Sequence, residues 1–209
     1  MTLRYGIFIA PQPEFTARAY QARQIICGQY GTWAAEMLMV HITLAEYFPC
    51  SGENLDALGL GLKNLAAQSR REHPQIPLRR RGVATDTDSP GTIFLDFGPL
   101  ENDAPLNILY RNVIGLVKDL SSSETAPSAN AGEFRPRLPL MQYANLPPAV
   151  FSNAEEFASK VVEDIGVPET TIAWSMTLAR FHSQAAEENW EAGSWATDIS
   201  WELLSSYPL

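Results

Sequence analysis

Two distant segments of this chain align without a gap, and that alignment constrains the fold more than any other feature. The first is VHITLAEYF, Val40 to Phe48; the second is PRLPLMQYA, Pro136 to Ala144. With His41 set on Arg137, Ile42 meets Leu138, Leu44 meets Leu140, Glu46 meets Gln142 and Tyr47 meets Tyr143. Each segment reads as a strand that follows a strand and a helix and precedes another helix. Short apolar strands also align by chance, so the flanking order carries the argument. It points to two related halves, each giving one equivalent strand.

The rest of the chain supplies the elements that this requires. YGIFIAP, Tyr5 to Pro11, is rich in β-branched and aromatic residues and reads as a strand. Glu14 to Tyr30 reads as a helix ending at Gly31. Glu36 to Phe48 reads as one buried strand. Leu55, Leu58, Leu62 and Leu65 keep helical spacing, and that helix should end near Arg70 and Arg71, before Pro74. A strand over Thr92 to Gly98 precedes a helix over Asn107 to Leu120, striped by Leu109, Val113, Leu116, Val117 and Leu120. Ser121 to Gly132 is small and polar and reads as a loop. Ser152 and Glu155 have capping-box spacing, and Gly166 and Pro168 close the helix they would start. Thr170 to Phe181 and the closing WATDISWELLSSYPL read as strands. The expected class is α+β, with mainly antiparallel sheets lining a cleft and helices outside. The chain has no Gly-rich phosphate loop. Residues 1–209 are expected to form one two-lobed domain.

Charge narrows the partners. A formal net charge of -9 argues against broad binding to a nucleic-acid backbone, DNA included, but leaves room for a local site for one phosphate. Cys27 and Cys50 form no CxxC pair and suit a reducing compartment. The apolar start, MTLRYGIFIAP, reads as a strand rather than a signal peptide. The longest run without charge or histidine, Leu138 to Ala154, holds three prolines, so no membrane span is expected. A cytoplasmic monomer is the expectation. Three histidines without HxxxH spacing or paired cysteines predict no metal and no cofactor.

The first of the aligned segments carries a chemical pair. In a strand, residues i and i+2 share a face, so His41 and Thr43 should point one way and Val40, Ile42 and Leu44 the other. Imidazole moves a proton near neutral pH, and a hydroxyl donates to a phosphate oxygen. A histidine on a strand is also commonly structural, and a lone HxT separates the two roles poorly.

VHITL after a strand and helix, with a second F-x-P-x-L-x-L element later, resembles the 2H phosphoesterase superfamily, including the LigT-like 2'-5' RNA ligases and cyclic phosphodiesterases. The resemblance spans most of the chain, from RYGIFIAP to the closing strand. It implies two lobes, each presenting an HxT into a cleft, and metal-independent chemistry on 2',5' linkages or cyclic phosphates. Phe134, Pro136 and Leu140 keep the frame of the second motif, F-x-P-H-x-T-L. Its two functional positions differ: Arg137 stands where the second histidine belongs and Pro139 where the threonine belongs. Arginine grips phosphate as a two-pronged charged donor but cannot exchange protons at neutral pH.

Three readings follow. The cleft binds a nucleotide, cyclic phosphate or RNA end and turns it over weakly. Alternatively, it is an active phosphodiesterase in which His41 is the acid/base, Thr43 and Arg137 hold the phosphate, and water or another residue supplies the second proton. In the third reading the fold survives with a dead site and a structural or interaction role. Other residues are weaker candidates. Arg79, Arg80 and Arg81 would guide a phosphate chain or simply face water. His182 would replace the missing acid. His73 has no role, and Trp174, Trp190, Trp195 and Trp201 read chiefly as core.

Overall fold

The computed structural model describes residues 2–86, 91–121, 134–184 and 194–209. Its elements, in chain order, are β1 (Thr2–Pro11), α1 (Pro13–Tyr30), β2 (Ile42–Phe48), α2 (Gly52–Glu72), β3 (Pro77–Arg79), β4 (Gly82–Asp86), β5 (Thr92–Asp96), α3 (Pro105–Leu120), β6 (Arg137–Met141), α4 (Pro148–Asp164), β7 (Thr170–Ser183) and β8 (Ser200–Pro208). The α+β class holds. The loop read over Ser121 to Gly132 lies outside the described residues except for Ser121, as does Trp190.

Two antiparallel sheets organise the chain. One runs β2-β1-β7-β3, with β8 also paired to β7; the other runs β4-β5-β6. The strands of the two aligned segments, β2 and β6, are therefore both edge strands, and they approach each other. The helices cross over between the halves. α1 packs with α4 and against β6, whereas α3 packs with α2 and against β2. This exchange joins the two sheets through one continuous core that includes Ile7, Ile42, Leu62, Leu95, Val113, Leu138 and Met176.

The repeat is deeper than its side chains. In β2, Phe8 faces Thr43 and Ile7 faces Ala45, so β2 carries one extra residue there. In β6, Phe94 faces Pro139 and Ile93 faces Met141, so the extra residue recurs at the equivalent place. Four residues on from Thr43 and from Pro139, Tyr47 and Tyr143 adopt φ of 54° and 51°, the only non-glycine residues with positive φ among those described. A bulky side chain in this region is rare and is held there only by its surroundings. Trp195, fully buried, stands between the two, with ring centroids 4.8 Å from Tyr47 and 5.1 Å from Tyr143. A chance alignment of two apolar strands would not carry both irregularities at matching positions. The prolines of the second segment also find their place. Pro139 needs no ladder partner for its missing N–H, because it sits on an edge strand at a bulge.

Three expectations are corrected. The strand read over Glu36 to Phe48 begins only at Ile42; the residues before it form turns. The carbonyls of Ala35, Leu38 and Met39 turn inward to the Arg23 guanidinium, so they make no ladder. The helix read from Ser152 starts earlier, with Pro148 in its first turn and no side-chain cap. Strands β3 and β4 lie on either side of Arg80 and Arg81, where the sequence offered no strand.

Candidate functional site

Between β2 and β6 lies a cleft of about 180 Å³. β2 contributes Thr43 and Glu46; β6 contributes Arg137 and Pro139, with Arg135 just before it and Gln142 and Tyr143 just after. Asp86, Thr92 and Phe94 complete the wall from β4 and β5. Thr43 and Glu46 are three residues apart, a spacing that would put them on opposite faces of a regular strand. The bulge between Thr43 and Ala45 resets the alternation and brings both to the cleft.

Arg137 lies over the Phe94 ring, with its guanidinium carbon 4.7 Å from the centroid. It also pairs with the Asp86 carboxylate. The neighbouring Arg135 makes a two-pronged pair with Asp96, at 2.8 and 2.7 Å. That pair helps hold the Asp96 carboxyl below the usual carboxylate range, against the opposing effect of burial. Both arginines are thus neutralised by aspartates, yet both keep exposed side-chain surface, 44% for Arg135 and 40% for Arg137. An anion entering the cleft meets two oriented guanidinium groups that it must share with carboxylates.

The structure brings Thr43 and Arg137 to one cleft. His41 is placed otherwise. It precedes β2, is 3% exposed and is not among the residues that line the cavity. Its ring sits edge-on against Phe8, at 4.4 Å between centroids, and its Nδ1 lies 2.6 Å from the Met39 carbonyl oxygen. A carbonyl only accepts, so this contact puts the proton on Nδ1 and leaves the lone pair on Nε2. Burial pushes the His41 pKa down to about 4, so the ring is neutral at pH 7. Folding therefore removes protons from this site. The resulting stability is fully present above a pH of about 6.5 and is lost as pH falls through about 4. Glu46 titrates with the opposite sign, but its access to water weakens the effect. The melting temperature should accordingly drop between pH 6.5 and 4, and His41→Gln should flatten that drop; matching slopes in the two proteins would contradict the assignment.

Reading the sequence did not find two contributors. Arg23 of α1 is fully buried, and it donates to the carbonyls of Ala35 at 2.8 Å, Leu38 at 2.9 Å, Met39 at 3.4 Å and Pro139 at 2.8 and 3.1 Å. One side chain thus ties the approach to His41 to the bulge of the second half. Burial lowers its pKa only to about 10, so it stays charged at pH 7. The signal was an arginine on the stripe of Phe15, Ala19, Ala22 and Ile26. The second is Glu46. Protein atoms crowd its carboxyl and push the pKa up to about 7, although the residue remains open to the water in the cleft. The remaining candidates lie elsewhere. His182 sits 3.5 Å from Glu202 on the β7–β8 pair. His73 caps α2 through its backbone. Arg80 donates to the carbonyls of Val167 and Pro168, while Arg79 and Arg81 border a separate pocket with Phe97 and Leu100. Trp174 and Trp201 are exposed rather than core.

No protein-family model matches the chain, and no curated protein sequence matches it. Solved structures do. E. coli LigT complexed with 3'-AMP superposes with a TM-score of 0.57 at 17% identity, covering 99% of this chain and 97% of that one. A crystal structure of a phosphoesterase gives 0.56 at 17% identity, covering 100% and 99%. E. coli LigT complexed with phosphate gives 0.55 at 16%, covering 99% and 96%. Coverage of both chains end to end makes the likeness one of whole architecture, including the paired halves. The chain has the fold of the LigT-like 2H phosphoesterases.

Proposed function

We propose that this protein binds a phosphate-containing small ligand in the cleft between β2 and β6. The ligand class is a nucleotide, a cyclic phosphate or the phosphate end of an RNA. Arg137 grips the phosphate and the Thr43 hydroxyl donates to it. The observation that carries this reading is the meeting of Thr43 and Arg137, from different halves of the repeat, on the wall of one cavity. The ligands of the structural neighbours favour the same class: LigT has been crystallised with 3'-AMP, phosphate, NADP+ and ATP. The size of the cavity, about 180 Å³, suits a phosphate with its sugar; drug-sized sites run to roughly 300–1,000 Å³.

Turnover by the paired-histidine route is disfavoured. Arg137 replaces one proton carrier with a fixed charge, and a well-placed acid or base contributes about 10²–10⁴-fold. His41 has the protonation state of a base but stands off the cavity wall. Binding with weak or altered catalysis is therefore the reading we favour over an active two-histidine phosphodiesterase and over a dead scaffold.

Calorimetric titration with 3'-AMP, 2',3'-cyclic AMP and inorganic phosphate tests it. Saturable binding of at least one is expected. Thr43→Val removes one hydrogen bond and should weaken it about 3- to 10-fold, in line with roughly 0.5–1.5 kcal/mol. Absence of binding by all three at millimolar concentration would overturn the reading.

A further inference from the structure

We propose that Glu46 is the proton-transfer group of this cleft, the acid that protonates the leaving oxygen of a cyclic phosphate held by Thr43 and Arg137. The proposal rests on the reading of the cleft as a phosphate site and deepens it. It begins from position. Glu46 and Gln142 are counterparts in the repeat, each line the same cavity, and each immediately precedes a tyrosine in the left-handed region. The two halves have thus divided their chemistry. In the cleft, the first half presents a titratable carboxyl where the second presents an amide that holds no proton to give. In the motif itself the second half presents a fixed cation, Arg137. A single proton carrier facing a clamp needs no second histidine.

Electrostatics favours the same residue. The charged and titratable groups that share its cavity are Asp86, Arg135, Arg137 and Tyr143, with Tyr47 next in the chain. Asp86 is engaged by Arg137, and among the described residues no cation pairs with Glu46. Desolvation pushes its carboxyl up, to about 7, even with both guanidinium groups in the same cavity. Cleft water tempers the shift, so a protonated fraction persists toward neutral pH and can donate. Tyr143 is likewise pushed up, to about 12, and keeps its proton.

The step balances as a hydrolysis. A water oxygen bonds to phosphorus, and the bond from phosphorus to one sugar oxygen breaks. Glu46 gives its proton to that sugar oxygen and becomes a carboxylate. The proton shed by the water passes to solvent, which reprotonates Glu46. Nothing is oxidised or reduced, and the product is a phosphate monoester.

Purified protein should convert 2',3'-cyclic AMP to the monoester, with a rate that falls as pH rises through about 7. Glu46→Gln should lower kcat at least 100-fold and remove this limb of the pH profile, leaving the calorimetric affinity within about 3-fold; Glu46→Asp should restore part of the rate. Full turnover by Glu46→Gln, or binding without any turnover in the wild type, overturns the role of Glu46 and leaves the binding reading standing. Loss of binding in the wild type itself overturns both.

Discussion

Arg23→Met is expected to destabilise the protein by about 3–5 kcal/mol, the range for removing one partner of a buried charged network. Methionine fills a similar volume, so little of the loss comes from a cavity. It comes from the carbonyls of Leu38 and Pro139, which lose their buried donor, and from those of Ala35 and Met39, which keep one donor each from Leu38 and His41. A buried group left unpaired costs about 1–3 kcal/mol, and not all of these can turn to water without moving the backbone. For a chain of this length each kcal/mol shifts Tm by roughly 2–4 °C, so a drop of about 6–20 °C is predicted in a thermal melt. A variant melting within about 2 °C of the wild type would show that the guanidinium is dispensable. The same substitution should blunt ligand binding, because Arg23 spans from the His41 approach to the Pro139 bulge.

Arg137→Ala is expected to weaken phosphate-ligand affinity about 10- to 100-fold, equivalent to roughly 1.4–2.8 kcal/mol. Charge-assisted, two-pronged contacts to phosphate are among the strongest hydrogen bonds available to a protein. Two features keep the estimate below that ceiling. The side chain is 40% exposed, so salt screens it, and Asp86 competes for the guanidinium. Arg137→Lys keeps the charge but loses the fork and its stacking on Phe94, and should recover only part of the loss. The wild-type affinity should also fall as salt is raised. Affinity unchanged in Arg137→Ala would remove the clamp from the account.

Much of this architecture was legible because it is written in side-chain periodicity. The helices and the long strands β1, β7 and β8 follow from apolar spacing and from stops such as Gly31, which has φ of 65° at the end of α1. The repeat was legible from the register of His41 on Arg137. What periodicity could not carry is backbone irregularity. An extra residue in β2 and in β6 shifts which side chains face the cleft, so Glu46 joins Thr43 there while His41, expected beside Thr43, lies before the strand. Nor does any local pattern announce that a tyrosine will adopt positive φ; packing against Trp195, distant in sequence, accompanies it. EMLMVH looked like strand because its residues are apolar, but the carbonyls of this stretch and of Ala35 just before it belong to Arg23. β3 and β4 went unread because three residues, Pro77–Arg79, and five, Gly82–Asp86, with only Val83 and Ala84 apolar, hold too little apolar pattern.

The most direct test of the cleft is a residue-resolved titration. Amide and side-chain NMR shifts of the labelled protein would be followed as 3'-AMP is added. The account predicts that the largest shifts cluster at Thr43, Glu46, Thr92, Arg137, Gln142 and Tyr143 and that those of the other five need about 10- to 100-fold more ligand in Arg137→Ala. Shifts centred instead on Arg79, Arg81, Phe97 and Leu100, or none at saturating ligand, would contradict it.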